Sequence, residues 1–321
     1  MPPQQEILDD PAAAEVDVLA SLLEVHRLTT VVAGRVDLAP PWRVDCEPTS
    51  LLVVLVQVTG ESHLVPAPDA EPIVTRPGDV VIRPHGARGH MHDGSDPSNT
   101  TWTFTLPPTD TATPQPLRLT HGDDPGSSFV CCLMQMGDAP RGPLWDSLPS
   151  VIHVSGQGLA GSEPLRHVAD TMIEESAAPG PASTRLMSRL AEILLILALR
   201  LQTRNITGPP GFRALADPLI APAITLIHAD PGHSWSVASL ASACGLSRSA
   251  FAARFAEVVG ETPHSYLIRW RMATAAKLLA TTDMAVARVA ATVGYISEAA
   301  FRRAFADHLG STPREYHKRH R

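Results

Sequence analysis

The residues best suited to chemistry lie in two short stretches near the C-terminus. The chemistry they suit is contact with a polyanion rather than bond-making. One stretch is Ser247-Arg248-Ser249-Ala250-Phe251-Ala252-Ala253-Arg254, and the other is Ser297-Glu298-Ala299-Ala300-Phe301-Arg302-Arg303. Taken as helices turning 100° per residue, each presents one apolar stripe to a core: Phe251, Phe255 and Val258 in the first, Phe301, Phe305 and Leu309 in the second. The outward side of the first is Ser249, Ala252, Ala253 and Ala256, flanked by Arg248 and Arg254. That of the second is Ala299, Arg302, Arg303 and Ala306, with Glu298 at its edge. Small residues let a helix approach a groove closely, and an arginine fork can bridge O6 and N7 of guanine. Ser247 and Ser297 stand where N-caps belong, which leaves helix N-terminal amides near phosphates.

Both helices sit inside a pattern that occurs twice. Leu240-Ala241, Cys244-Gly245-Leu246-Ser247, Phe251, Phe255, Gly260, Thr262-Pro263 and Tyr266 are answered by Val289-Ala290, Val293-Gly294-Tyr295, Phe301, Phe305, Gly310, Thr312-Pro313 and Tyr316. The offset is 49 residues up to the turn glycine and 50 beyond it, so the second turn holds one extra residue around Tyr295-Ile296-Ser297. A repeated pattern implies a repeated supersecondary unit. Helix, tight glycine turn, helix is the order of a helix-turn-helix reader of DNA. The connecting helix, Pro263 to about Ala280, spans roughly 27 Å at 1.5 Å per residue. That sets the two readers about one DNA turn, ~34 Å, apart. Leu267, Trp270, Met272 and Leu278-Leu279 are expected in a core shared by both halves; Arg269, Arg271 and Lys277 are either phosphate contacts or solvated surface.

The net charge of −7 argues against a nucleic-acid partner until it is divided along the chain. Residues 213–321 carry 13 Lys and Arg against 8 Asp and Glu, a net of +5, while residues 1–212 carry 13 against 25, a net of −12. Such asymmetry marks a nucleic-acid-binding part joined to something else. The longest purely apolar run, Ile193–Leu199, is far too short to span a membrane. The first residues lack the basic patch and apolar stretch of a secretion signal, so a cytoplasmic location is expected. Cys46, Cys131, Cys132 and Cys244 form neither a Cys-x-x-Cys pair nor a zinc-type spacing, and are expected as reduced, buried small hydrophobes.

Taken in order, residues 1–15 are polar and Pro/Ala-rich, a flexible terminus. Val16–Val25 has helical spacing. Short β-rich runs then continue to about residue 155: Leu28–Val32, Leu51–Val58, Ile73–Val74, Val80–Ile82, Thr101–Leu106, Phe129–Leu133 and Val151–Val154. Many short strands separated by turn residues predict an antiparallel sandwich or barrel over 16–155. Residues 160–202 are helical, with helices over Glu163–Ser176 and Ala182–Gln202. Leu186, Leu190, Ile193, Leu194, Leu197 and Leu201 of the second form a stripe that is either core or dimer surface. Residues 203–212 read as a linker. The remainder is helical, over Pro218–His228, Val237–Ala243, Arg248–Val259, Pro263–Ala280, Val286–Thr292, Glu298–Leu309 and Arg314–His320. Asp217, Thr262 and Thr312 each stand as an N-cap before proline. The fold class is therefore multidomain: an all-β barrel with following helices, then an all-α domain of two helix-turn-helix units at about 237–259 and 286–309.

Residues 213–321 resemble the AraC/XylS transcription factors. The resemblance is carried by Trp235-Ser236-Val237, Gly245-Leu246-Ser247-Arg248-Ser249-Ala250-Phe251, Gly260-Glu261-Thr262-Pro263 and Arg269-Trp270-Arg271-Met272. In the second unit it is carried by Gly294-Tyr295-Ile296-Ser297-Glu298, Phe301-Arg302-Arg303-Ala304-Phe305 and Gly310-Ser311-Thr312-Pro313. It implies sequence-specific binding of double-stranded DNA, usually as a homodimer, with contacts to RNA polymerase in activators. Many members place arginine two residues after the position of Phe251, where this chain has Ala253. Which unit dominates base readout is therefore open.

Arg76-Pro77-Gly78-Asp79-Val80-Val81-Ile82-Arg83-Pro84-His85-Gly86-Ala87-Arg88-Gly89-His90 resembles the second motif of the cupin barrel, and Pro143–Val154 fits the cupin-type sensors attached to a subset of these regulators. In cupin enzymes the distal histidine joins a His-x-His and a Glu from an earlier strand on a metal. Here only His63 stands in those strands, and His90-Met91-His92 comes late, so a metal-free barrel without cofactor is favoured over a metal-dependent cupin enzyme. The resemblance implies a sensor of a small molecule or a redox signal. His85, Arg88, His90 and Trp102, with Met91, are the candidate effector pocket. The sequence names neither the effector, the operator, the target genes nor the sign of regulation.

Overall fold

A computed structural model describes residues 17–26, 28–46, 49–95, 102–103, 114–136, 143–156, 162–204 and 210–320. In chain order its elements are α1 (Val18–His26), β1 (Leu28–Leu38), β2 (Arg43–Cys46), β3 (Leu52–Thr59), β4 (Ser62–Val65), β5 (Ile73–Thr75), β6 (Val80–Arg83), β7 (Gly89–His92), β8 (Trp102–Thr103), β9 (Gln115–His121), β10 (Ser127–Met136), α2 (Pro143–Asp146) and β11 (Ile152–Val154). There follow α3 (Glu163–Ala177), α4 (Ser183–Arg204), α5 (Pro210–Ala216), α6 (Ala221–Ala229), α7 (Val237–Ala243), α8 (Arg248–Val259), α9 (Pro263–Thr281), α10 (Val286–Thr292), α11 (Glu298–Leu309) and α12 (Pro313–Arg319). The chain divides into two units. One comprises 27–137 and 147–212; the other joins 213–321 to the segments 1–26 and 138–146.

The first unit is a pair of sheets, one of six strands in the order β11-β6-β3-β10-β1-β9 and one of five in the order β5-β4-β7-β2-β8. Their facing sides bury Val53, Leu55, Val81, Phe129 and Leu133 against Leu64, Met91 and Trp42. Strand alternation then sets the other side of the five-stranded sheet. Since Leu64 and Met91 point inward, His63, His90, His92, Arg43 and Asp45 share the outer face, in cross-strand rows His63–His92–Arg43 and Val65–His90–Asp45. The backs of β3 and β10 are buried as well, at Val54, Val56, Cys132 and Met134, with α3 and α4 packed on their sheet. Burial on both faces is why these two strands read as continuous apolar runs.

The strands absent from the sequence expectation, β2, β4, β7 and β9, are short or half-exposed and keep only one or two apolar residues each. Strand β9 lies at a sheet edge, where Pro116 removes no ladder bond of a central strand. Of the predicted strand Thr101–Leu106, Trp102–Thr103 is observed and the rest lies outside the described residues. The α4 stripe divides. Leu190 and Leu194 are buried, whereas Leu186 and Ile193, two turns apart, stay 43% and 44% exposed.

In the helical unit the repeat is visible in the packing. Phe251 and Phe255 lie 5.6 Å apart with Tyr266 edge-on to Phe255 at 5.6 Å; Phe301 and Phe305 lie 5.6 Å apart with Tyr316 edge-on to Phe305 at 5.5 Å. The shared core includes Leu267, Trp270, Met272 and Leu279 of α9, as their spacing predicts. Two segments remote in sequence join this unit. Leu22 and Val25 of α1 enter its core, and Glu24 pairs with Lys277 at 2.8 Å. The helix Val18–His26, grouped by sequence with the barrel, packs in this unit. The helix expected over Pro218–His228 begins instead at Ala221. Asp217 does not cap it; its carboxylate accepts from the Leu219 amide at 2.9 Å and holds an arginine of α8. The expected 203–212 linker is shorter at both ends, since α4 runs to Arg204 and α5 starts at Pro210, where proline opens a helix without losing a bond.

Candidate nucleic-acid interface

Each reading helix is set by the same local devices. The turn glycines Gly245 and Gly294 have φ of 65° and 83°, left-handed values that a side chain resists. Ser247 then caps α8, accepting from the Ala250 amide at 3.2 Å, and Ser297 caps α11, accepting from the Ala300 amide at 3.4 Å. Gly260 and Gly310, both left-handed, end the two helices. Thr262 and Thr312 cap α9 and α12, each before a proline. At 19 residues, α9 is about 28 Å long.

The structure leaves Ser247, Arg248, Ser249, Ala253 and Arg254 exposed on α8, with Ala252 half-buried; on α11 it leaves Ser297, Ala299, Arg302 and Arg303 exposed, with Glu298 half-buried. Their charges are not equally available. Arg302 is ion-paired with Glu298 one turn back. Arg303 and Arg248 have no ion-pair partner among the described residues. Arg254 is drawn off the outward face: its Nε and Nη2 donate to the buried Asp217 carboxylate at 3.0 and 2.7 Å, and its Nη1 to Glu257 at 3.1 Å. Arg254→Ala is therefore expected to lower the thermal unfolding midpoint by roughly 2–4 °C, the scale of one lost interaction in a chain this size. In binding titrations it should weaken DNA less than Arg303→Ala.

The three basic residues of α9 have partners within the protein. Arg269 pairs with Glu261 at 2.6 Å and Asp146 at 3.2 Å, Arg271 donates to the carbonyls of Pro231 and His233 at 2.7 and 2.8 Å, and Lys277 pairs with Glu24. Sequence reasoning overlooked Ile296. It is the extra residue of the second turn: Tyr295 fills the place that Leu246 has in the first, stacked edge-on against Phe301 at 5.6 Å, and Ile296 is left fully exposed beside the cap of α11. The one-residue difference in repeat offset was its only signal.

Of the candidate effector residues, Arg88 and His90 line one cavity of about 350 Å³ together with Arg43, Asp45 and Cys46. His85 lies apart, its Nε2 3.0 Å from the Leu148 carbonyl. Trp102 lies in β8 beside Val44, with its side chain outside the described residues. Met91 points into the apolar core between the sheets. Among the described residues no group of three or more His, Cys, Asp and Glu could hold a metal ion, and no helix is long and apolar enough to cross a membrane. Cys131 and Cys132 are buried, on opposite faces of β10; burial pushes the Cys131 thiol up to about 12 and that of Cys132 higher still. Cys46 and Cys244 are only half-buried.

A family model described as a cupin matches residues 17–203, and one described as a helix-turn-helix domain matches residues 240–319. The chain belongs to the AraC-type transcription regulators. It is 42% identical over 177 residues to a putative AraC-like transcription regulator of Streptomyces antibioticus, covering 54% of this chain and 58% of that one. It is 30% identical over 204 residues to the RCS-specific HTH-type transcriptional activator RclR of Escherichia coli, covering 63% and 72%. It is 24% identical over 309 residues to the HTH-type transcriptional regulator MtrA of Neisseria gonorrhoeae, covering 94% and 98%. This AraC-type chain thus spans somewhat over half the length of the Streptomyces relatives it matches. Its AraC-type half is the helical unit, and its cupin half the sheet pair with α3 and α4.

Proposed function

We propose that this chain binds double-stranded DNA sequence-specifically through α8 and α11, as a homodimer, and regulates transcription in response to a small molecule held by the cupin half. The observation that carries the reading is the pair of capped helices that turn their small residues and arginines outward while their phenylalanines fill one core. The halves are unequal readers. The first offers serine, alanine and Arg248, and the second offers Arg303 with Ile296 exposed beside the cap of α11, an arginine fork for guanine and an apolar contact for a thymine methyl. RNA polymerase is the further partner when the regulator activates. Genome-wide footprinting of the intact chain tests the reading: discrete sites spaced for two readers about one DNA turn apart are expected, and uniform, sequence-independent protection would refute it.

The dimer is proposed to form through the exposed apolar positions of α4. Leu186 and Ile193 stand one above the other, each still largely open to solvent where neighbouring leucines are buried. Changing both to lysine should leave folding intact and weaken self-association by about tenfold or more, as measured by sedimentation velocity. An unchanged association constant would move the interface elsewhere.

A further inference from the structure

Arg83, the last residue of β6, is 3% exposed, and among the described residues no carboxylate pairs with it. Its guanidinium donates to the Ala87 carbonyl, while its Nε has no partner among the described residues. A buried guanidinium normally has a counter-charge, because removal from water penalises the ion and only an opposite charge with good hydrogen bonds offsets that penalty. Directly beside it lies the cavity lined by Arg43, Asp45, Cys46, Arg88, Gly89 and His90. Little separates the two. The positive charge of Arg83 is near enough to act on the Cys46 thiol, and a Cβ placed on Gly89 would fall 3.3 Å from the Arg83 Nη2. Among the described residues, the guanidiniums of Arg43 and Arg88 line this space with that of Arg83 beside it, and the Asp45 carboxylate is engaged by Arg43 at 2.8 Å. Desolvation, followed by the charge of Arg43, holds the His90 imidazole below its usual value, so it adds a hydrogen-bonding ring rather than another charge.

We infer that this cavity binds a small molecule bearing an oxyanion, a carboxylate or a phosphate, which supplies the counter-charge that Arg83 lacks. The inference rests on the proposed sensing role and specifies its site and ligand class. The site lies at the end of β2 and β7 rather than among the apolar residues between the sheets. Its volume suits a compact ligand at the lower end of the usual range for binding pockets.

Thermal unfolding of the full-length chain tests it, with sodium benzoate and inorganic phosphate as probes against sodium chloride at equal ionic strength. The expected result is a saturable rise in midpoint with at least one of the two oxyanions. In Arg83→Met and in Arg88→Ala the apparent affinity should fall by about tenfold or more. Without anion, Arg83→Met should unfold no lower than the wild type, because it removes an uncompensated buried charge in favour of an apolar chain. Equal midpoints in all three salts would overturn the inference, as would an undiminished response in Arg83→Met. If Arg83→Met does not fold, an undiminished response in Arg88→Ala has the same force. Footprinting the same samples separates the two levels: no anion response in the wild type with DNA protection intact defeats this inference alone, and an anion response without discrete DNA protection defeats the regulator.

Discussion

Replacing both Arg302 and Arg303 by alanine should abolish sequence-specific DNA binding while leaving the fold intact. Both side chains are exposed on α11, so neither contributes to the core that Phe301 and Phe305 form behind them. A bidentate contact to guanine is worth about 1–3 kcal/mol, or roughly 5- to 150-fold in affinity. The single variants should differ. Arg303 has no ion-pair partner among the described residues, so under the proposed reading its whole fork is available to the groove. Arg302 must first give up Glu298, so Arg302→Ala should cost less, and Glu298→Gln should raise affinity slightly. Ala253→Ser on α8 should change little. Fluorescence anisotropy against a footprinted site, repeated over a range of salt, separates the roles. A base contact relaxes preference at one position, whereas a phosphate contact weakens all sequences alike and lowers the salt slope by about one. An unchanged footprint in the double variant would remove α11 from base readout.

Acid should destabilise the helical unit through one buried histidine. His228 packs its ring on Trp270 at 3.7 Å between centroids, places Nε2 2.7 Å from the Tyr266 hydroxyl, and leaves Nδ1 buried with no partner among the described residues. Burial pushes its imidazole from 6.5 down to about 3. The unfolded chain takes up this proton near 6.5 and the folded chain does not, so the stability it confers is complete above 6.5 and is lost as pH falls. At roughly 1.4 kcal/mol per unit, the loss between pH 6.5 and pH 4 is on the order of 3 kcal/mol. Urea unfolding of the wild type across this range should show that slope, and His228→Phe, which keeps the stack on Trp270 but cannot titrate, should show about that much less. Parallel losses in the two proteins would mean that the histidine is not held neutral.

Much of the helical half was legible because its rules are local. Helix spacing, a serine before α7, α8 and α11 and a glycine just past each end reproduce α7, α8, α10 and α11 residue for residue. The sheets were less so. Strands β3 and β10 announce themselves by burial on both faces, whereas Arg-Val-Asp-Cys and Gly-His-Met-His, each with only one or two apolar residues facing the core, resemble loops. Two residues of the cupin motif, Arg88 and His90, share a cavity. The motif gave no hint of Arg83, a buried charge inside an apolar strand.

By itself, then, the sequence determined the doubled helix-turn-helix unit and its outward residues, since periodicity, caps and turn glycines act within a few residues of one another. The tertiary structure alone decided which arginines are free. Arg254 reaches Asp217, 37 residues away, and Arg269 reaches Asp146, 123 residues away. An arginine's side chain looks the same in sequence whether it faces a groove or a buried carboxylate. Only the packed chain shows which charge has already been spoken for, and among the described residues it leaves Arg303 on the second reader without an ion-pair partner.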